Sequence, residues 1–254
     1  MKNKLNNELA ICGLSAVNAL VENHGERVRR FYFTEEHKRR FSSFLSFLAS
    51  KHVPYNLVEA EDLEKLSGTV HHQGVVAMIS PPDIAPLKTS TTDDWIKNGE
   101  SALILDRIGN ANNLGAIVRS AAFFGVKNIV ISLDAAQSSI STATYRVAEG
   151  GMESVEIYSA HSLVRLLSAM NGKMVRIGTE VRANKNVSEI SKFCTKKGAL
   201  IVLGNEENGI SREVRENCDY LVRIPSGGYG KLESLNVAQA AAIILYESRN
   251  IFSR

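Results

Sequence analysis

The chain has 254 residues, 44% of them hydrophobic and 22% charged, with 5 prolines. This composition excludes collagen-like, mucin-like and low-complexity chains, and the length suits one large or two ordinary packed domains. A net charge of +3 allows a nucleic-acid partner without demanding one.

From the N-terminus, Met1-Lys2-Asn3-Lys4 leads into a polar stretch with Asn6, Asn7 and Glu8, so no apolar signal core is expected. No apolar run approaches the ~20 residues that span a bilayer. The expected location is the cytoplasm, away from membranes. Periodicity then predicts a helix over 14–21, an extended stretch Val28–Phe33, a helix over 40–49, and extended stretches over 55–58 and 74–79. Residues 1–80 therefore read as a compact α/β unit. Two basic runs lie in it, Arg27, Arg29, Arg30 and Lys38, Arg39, Arg40. They fit solvated faces, and they equally fit an RNA-contacting surface, because Lys and Arg supply the sequence-independent part of nucleic-acid affinity. His71 and His72 are adjacent, so on a strand their side chains diverge, and no Cys or carboxylate completes a set; no metal site is expected.

Residues 81–97 read as a linker: Pro81, Pro82 and Pro86 are followed by Lys88-Thr89-Ser90-Thr91-Thr92. From residue 98 the pattern becomes regular, with short buried strands expected over 102–105, 128–131, 174–177, 199–203 and 220–224 and helices between them. Apolar strands alternating with helices imply an α/β fold with a mostly parallel sheet covered on both faces. Cys12, Cys194 and Cys218 are odd in number and widely spaced, which suits buried free thiols rather than a disulfide framework or a zinc site.

Ligands of open parallel sheets bind beyond the carboxyl ends of the strands, so the segments that follow predicted strands are the candidates for chemistry. The first is Asn112-Asn113-Leu114-Gly115-Ala116-Ile117-Val118-Arg119, where Asn112 or Asn113 suits a helix N-cap and Arg119, on an apolar helix, needs a partner or a ligand. The second is Gly204-Asn205-Glu206-Glu207-Asn208-Gly209-Ile210-Ser211, in which Gly204 lets a backbone approach closely and Ser211 suits an N-cap. The third is a glycine-rich loop from Ile224-Pro225 to Ser234-Leu235-Asn236, entering an apolar helix over 237–247 that is expected in a subunit interface or in the interior. This loop fails the P-loop pattern, since Pro225 stands where the first Gly belongs and Leu232 where the hydroxyl belongs, and no Rossmann Gly-x-Gly-x-x-Gly is present.

Together, Asn113-x-Gly115-x-x-x-Arg119-x-Ala121, then Gly204-x-Glu206-x-x-Gly209, then Ile224-Pro225 with Ser234-Leu235-Asn236-Val237, resemble the three ordered motifs of the SpoU (TrmH-like) RNA ribose methyltransferases. The resemblance covers about residues 100–250, and the N-terminal third, with Gly68-Thr69-Val70-His71-His72-Gln73-Gly74, is similar to the small RNA-binding domain that precedes the catalytic domain in many members. It implies three regions: an RNA-binding domain over 1–80, a linker over 81–97 and a methyltransferase domain over 98–254. It further implies a C-terminal trefoil knot, which chain-threading rules alone disfavour, and a homodimer formed through the C-terminal domain. The expected activity is transfer of a methyl group from S-adenosyl-L-methionine to a ribose 2′-hydroxyl of ribosomal or transfer RNA. By the same resemblance Asn113, Arg119, Glu206, Ser234 and Asn236 belong to the catalytic constellation, while Gly204, Ile224, Pro225 and Leu235 line the cofactor pocket. One departure stands out: eight residues, Ser226 to Glu233, separate Pro225 from Ser234, about two more than in common members, so a reshaped pocket loop is expected. The alternatives are an RNA-binding protein that keeps the fold with little catalysis, and a nucleotide-dependent enzyme, which the two failed phosphate motifs disfavour.

Overall fold

The computed structural model describes residues 2–3, 7–194, 197–227 and 234–252. The stretch 228–233 of the glycine-rich loop, which holds most of the expected longer segment, lies outside the described residues. The chain divides into two compact units, one of Met1–Asp83 with Ser139–Ser154 and the other of Ile84–Ser138 with Val155–Arg254.

In the first unit the described strands β1 (Lys2–Asn3), β2 (Glu8–Cys12), β3 (Val28–Phe33), β4 (Tyr55–Leu57) and β5 (Val75–Ile79) form a sheet in the order β1-β2-β5-β3-β4. All neighbours run antiparallel except β3 and β4. Helices α1 (Leu14–His24), α2 (Ser42–Ser50) and α3 (Ala60–Ser67) accompany it. The aromatic pattern of β3 explains the packing: Phe31 is fully buried and meets Phe41 and Phe44 edge to face, with ring centroids 5.1 and 5.3 Å apart. On the other face Leu63 of α3 packs with Ala10, Cys12, Val76 and Met78. A bulge in β3 pairs Val28 with Ile79 and Arg30 with Met78, so Arg29 is the extra residue and stays exposed.

The later segment Ser139–Ser154, which contains the helix Thr142–Ala148 (α6 in chain order), packs on α1 and β2. Gly150, at φ 94°, comes so close to α1 that an added Cβ would lie 2.7 Å from the Ala19 methyl carbon. The buried Glu153 carboxylate pairs with His24 at 2.5 Å and Arg27 at 3.1 Å, and Arg27 also donates to the Tyr145 hydroxyl at 3.2 Å. Burial is the main influence on the Tyr145 phenol and pushes its pKa up.

The second unit begins with a helix where a linker was expected: α4 (Thr89–Asn98) buries Trp95 to 3% exposure and ends on Gly99 in the left-handed region. Its threonines are poor helix formers, and the Trp95 contact outweighs that propensity. In chain order follow β6 (Ala102–Asp106), α5 (Ala111–Phe123), β7 (Asn128–Ser132), β8 (Glu156–Ala160), α7 (Leu163–Ala169), β9 (Val175–Thr179), β10 (Lys185–Asn186), α8 (Ile190–Phe193), β11 (Ala199–Gly204), α9 (Arg212–Glu216), β12 (Tyr220–Arg223) and α10 (Val237–Phe252). The described strands form one sheet, β10-β12-β9-β11-β6-β7-β8, with every pair parallel. Ile104, Val130, Leu200 and Val202 face a core shared with Trp95, Leu167 and Val214. Alternation sends Leu103, Leu105, Ile129 and Ile201 to the other face, where α10 packs on α5 and β11.

The strands β8 and β10 were not expected from the sequence, β8 because Glu156-Ile157-Tyr158-Ser159-Ala160 mixes polar and apolar residues, and β10 because it is two residues long. Ala241 and Ile244 of α10 point into the unit's interior, whereas Ile243 and Tyr246 are exposed. Arg176 and Asp219 bind β9 to the residue before β12: the two side chains form an ion pair, and the Arg176 amide also donates to Asp219 Oδ2 at 2.9 Å. The Arg176 guanidinium holds the Asp219 carboxyl below the usual carboxylate range. Cys12 and Cys194 are buried thiols outside any disulfide and Cys218 is partly buried; burial pushes Cys12 up to about 11 and Cys218 to about 12.

Candidate functional site

Parallel pairing sets Gly204, the last residue of β11, beside Asp106, the last residue of β6. The loops that follow these two strands are therefore neighbours, and their polar groups lock together. Asp106, 4% exposed, accepts from the Ser211 amide at 2.7 Å and pairs with Arg107 at 3.0 Å. Asn205 Nδ2 donates to the Arg107 carbonyl at 3.0 Å, while Asn205 Oδ1 accepts from the amides of Glu207 and Asn208 at 2.9 and 3.2 Å. Asn205 and Gly209 pair through both backbone groups, and Gly209 takes a left-handed φ of 64°. The close approach that requires glycine at 204 comes from this loop: a Cβ there would lie 2.2 Å from the Gly209 carbonyl carbon.

That loop presents Glu206 to α5. Asn110, rather than Asn112 or Asn113, caps α5, its Oδ1 accepting from the amides of Asn112 and Asn113 at 2.8 and 3.4 Å. This leaves the Asn113 side chain free of capping: its Nδ2 donates to Glu206 Oε1, and its Oδ1 accepts from Asn236 Nδ2 at 3.2 Å. Asn236 in turn caps α10, accepting from the Ala238 amide at 2.9 Å. One residue from each sequence motif thus enters a single hydrogen-bonded chain, Glu206–Asn113–Asn236.

Arg119 lies nearly two turns further along α5. It is exposed, as are Asn112 and Phe123 on the same helix, and not buried as the apolar neighbours Ile117, Val118 and Ala121 suggested. The helical period explains the difference, since positions 112, 119 and 123 share one side and the apolar set shares the other. Ser211 precedes α9 without making a side-chain cap; its amide serves Asp106 instead.

Beside this chain of side chains lies a cavity of about 890 Å³ in the second unit. Six of the sequence-derived candidates line it: Gly204, Glu206, Ile224, Pro225, Ser234 and Leu235. Asn113, Arg119 and Asn236 are not among its lining residues. The lining also includes Val237, the last residue of the third motif, and, outside the motifs, Thr179 at the end of β9, Glu180 and Arg182 just beyond it, and Ala240 and Ile244 of α10. A signal for Thr179, Glu180 and Arg182 was present in the sequence, because residues 179–182 directly follow a predicted strand. Arg215 donates to Glu180 at 2.9 Å, so this pair is neutralised within the lining.

In the first unit, Arg27 is engaged by Glu153 and Tyr145, and Arg30 pairs with Glu8 and donates to the Tyr32 hydroxyl. Arg29, Lys38, Arg39 and Arg40 are exposed, Lys38 beside Glu35 and Arg40 donating to Asn18 at 3.4 Å. His72 is buried, and its Nδ1 accepts from the Gly74 amide at 3.1 Å, the role of a satisfied core histidine.

Residues 100–246 match the SpoU rRNA methylase family, and residues 10–85 match the family described as RNA 2′-O ribose methyltransferase substrate binding. The chain is 30% identical to the 23S rRNA (guanosine-2′-O-)-methyltransferase RlmB of Acinetobacter baylyi, over 93% of this chain and 94% of that one. It is 31% identical to the RlmB of Nitrosomonas europaea, over 94% and 90%. Its fold is that of the AdoMet-bound rRNA methyltransferase from Sinorhizobium meliloti (TM-score 0.76, 20% identity, 97% of this chain and 88% of that one). The SpoU methyltransferase AviRb from Streptomyces viridochromogenes, in complex with AdoMet, is similar in the same way (TM-score 0.72, 22% identity, 97% and 91%).

Proposed function

Because the chain belongs to the SpoU rRNA methylase family, we propose that it is an RNA 2′-O-ribose methyltransferase that transfers a methyl group from S-adenosylmethionine to a ribose 2′-hydroxyl of ribosomal RNA. The observation that carries this reading is the Glu206–Asn113–Asn236 chain, one residue from each motif, beside a cavity of about 890 Å³.

The cavity fits the cofactor. Its volume lies within the roughly 300–1,000 Å³ of small-molecule sites. Apolar Leu203, Ile210, Val222, Val237 and Ile244 offer walls for an adenosyl group, and the backbones of Gly204, Ile224, Pro225 and Leu235 offer polar atoms beside them. When bound, the cofactor supplies a methyl group already activated by its sulfonium.

The protein's task is to position and activate the hydroxyl, a weak nucleophile while it keeps its proton. Arg119 holds an RNA phosphate and stabilises the alkoxide as it develops; a guanidinium stays charged at any working pH, so it acts by charge and geometry. Asn113, Ser234 and Asn236 orient the reacting groups, and Glu206 fixes the Asn113 amide so that the orientation is set before substrate arrives. The exposed Arg29, Lys38, Arg39 and Arg40 contact the RNA backbone, while Arg27 and Arg30 keep the first unit together. We assign RNA binding to residues 1–80 and transfer to 98–254; of the expected linker 81–97, the part in α4 packs with the second unit, and Ser139–Ser154 packs with the first. By family membership the proposal extends to a C-terminal trefoil knot and a cytoplasmic location, and the exposed Phe123, Ile243 and Tyr246 support a homodimer through this unit.

The test is incubation of the purified chain with ribosomal RNA and methyl-labelled S-adenosylmethionine, followed by nucleoside mass analysis. A 2′-O-methylated nucleoside that is absent without enzyme is the expected product. Cofactor binding without any such product sinks the reading.

A further inference from the structure

A hydrogen-bonded clamp from outside the three motifs holds the loop from which α5 starts. Arg107, at φ 60°, turns the chain out of β6, and the next residue, Ile108, is fully buried. A buried peptide group needs partners for both its N–H and its carbonyl. At Ile108 they come from Gln137, in the loop after β7. The Ile108 amide donates to Gln137 Oε1 at 3.0 Å, and Gln137 Nε2 donates back to the Ile108 carbonyl at 3.2 Å. The Ser138 amide donates to the same carbonyl at 2.8 Å.

Gln137 is itself aimed by a local turn. Asp134 Oδ1 accepts from the Ala136 amide at 2.8 Å, and the Gln137 amide donates to the Asp134 carbonyl at 3.0 Å. The two loops meet closely, since a Cβ on Gly109 would lie 3.3 Å from the Ala136 carbonyl oxygen. Two residues beyond Ile108 stands Asn110, the cap that starts α5, and three further on is Asn113.

We propose that Gln137 is a positioning residue for methyl transfer. Its carboxamide offers one donor and one acceptor to Ile108, the pairing that a neighbouring strand would give. It thereby fixes the start of α5, sets Asn113 against Glu206 and Asn236, and fixes the register of Arg119. This inference rests on the transfer reaction proposed above.

Two variants test it in the full chain. Gln137→Met has similar length and no comparable hydrogen bonds, and Gln137→Glu keeps the acceptor but turns a carboxylate toward the Ile108 carbonyl. Each is compared with the parent for melting temperature, S-adenosylmethionine affinity by calorimetry, single-turnover methyl transfer to ribosomal RNA, and amide hydrogen exchange. In Gln137→Met the single-turnover rate falls about tenfold or more, the scale of one net hydrogen bond, while cofactor affinity stays within about twofold. Gln137→Glu falls at least as far. Exchange in the peptide spanning residues 107–114 speeds up by about tenfold in both, while exchange in β11 is unchanged. A parent-like rate or parent-like exchange in a folded variant overturns the proposal, as does a rate loss that follows only the fraction unfolded. If the parent transfers no methyl group, the reaction proposed above fails. The exchange comparison then decides the clamp by itself, and parent-like values overturn it.

Discussion

Arg119 and Asp219 show how differently two charged side chains serve one unit. Arg119 sits on the exposed side of α5, and its proposed role is in the chemistry rather than the packing. Arg119→Lys keeps the charge but loses the planar fork, and turnover is expected to fall on the order of 10²–10³-fold with cofactor affinity and melting temperature near those of the parent. A folded Lys variant with near-normal turnover removes Arg119 from the mechanism. Asp219 is a fold residue, its carboxyl held below the ordinary value by Arg176. A depressed carboxylate stabilises the fold fully above its unfolded pKa, and that stabilisation disappears as pH falls through the lower folded value. Asp219→Asn should therefore lower the melting temperature at pH 7, with the gap to the parent narrowing below about pH 4; thermal scans across that range check it. Spacing revealed these positions unevenly. Asn113, Glu206 and Asn236 stand at fixed distances from the predicted strand ends and were visible, whereas Gln137 acts through the backbone of a residue 29 positions away.

At the scale of elements, five strands of the second unit were legible as short, largely apolar runs: β6, β7, β9, β11 and β12 lie within a residue or two of their expected bounds, and β6, β7 and β11 are buried throughout. Helix α4 was not, because its first turn is Thr-Ser-Thr-Thr and its stability comes from Trp95 reaching a core the sequence does not show. Helix α10 read as apolar all round, and it carries two kinds of apolar position. Ala241 and Ile244 belong to the interior, so charges there would unfold the unit rather than report on an interface. The informative positions are Phe123, 82% exposed at the end of α5, and Ile243 on α10. Sedimentation is expected to show a parent dimer, and Phe123→Asp combined with Ile243→Asp should yield a folded monomer. A parent that sediments as a monomer at micromolar concentration counts against this face as an interface.

Over the whole molecule, charge matters more by placement than by amount. In the two basic runs Arg27 and Arg30 are committed to acidic partners, and the exposed Arg29, Lys38, Arg39 and Arg40 are the ones proposed to contact RNA. Replacing all four with Gln should weaken RNA binding and flatten its salt dependence, each lost phosphate contact removing about 0.7–0.9 from the slope of log K against log salt. Filter binding at several salt concentrations reads this directly, and an unchanged slope would place the RNA elsewhere. Sequence periodicity delimited the first unit as residues 1–80 and gave no hint that Ser139–Ser154 belongs with it, because that association depends on contacts at long sequence separation such as Gly150 against Ala19.

That late segment also imposes an order on biosynthesis. A ribosome finishes Asp83 well before it reaches Ser154, and at roughly 5–20 residues per second the interval lasts about 4–14 s. Throughout it, the nascent chain holds β2 and α1 without the α6 segment that packs on them, and His24 and Arg27 without Glu153. The first unit is thus begun first but cannot close until the chain has passed Ser154, and in that window its uncovered faces are open to aggregation and to chaperone capture.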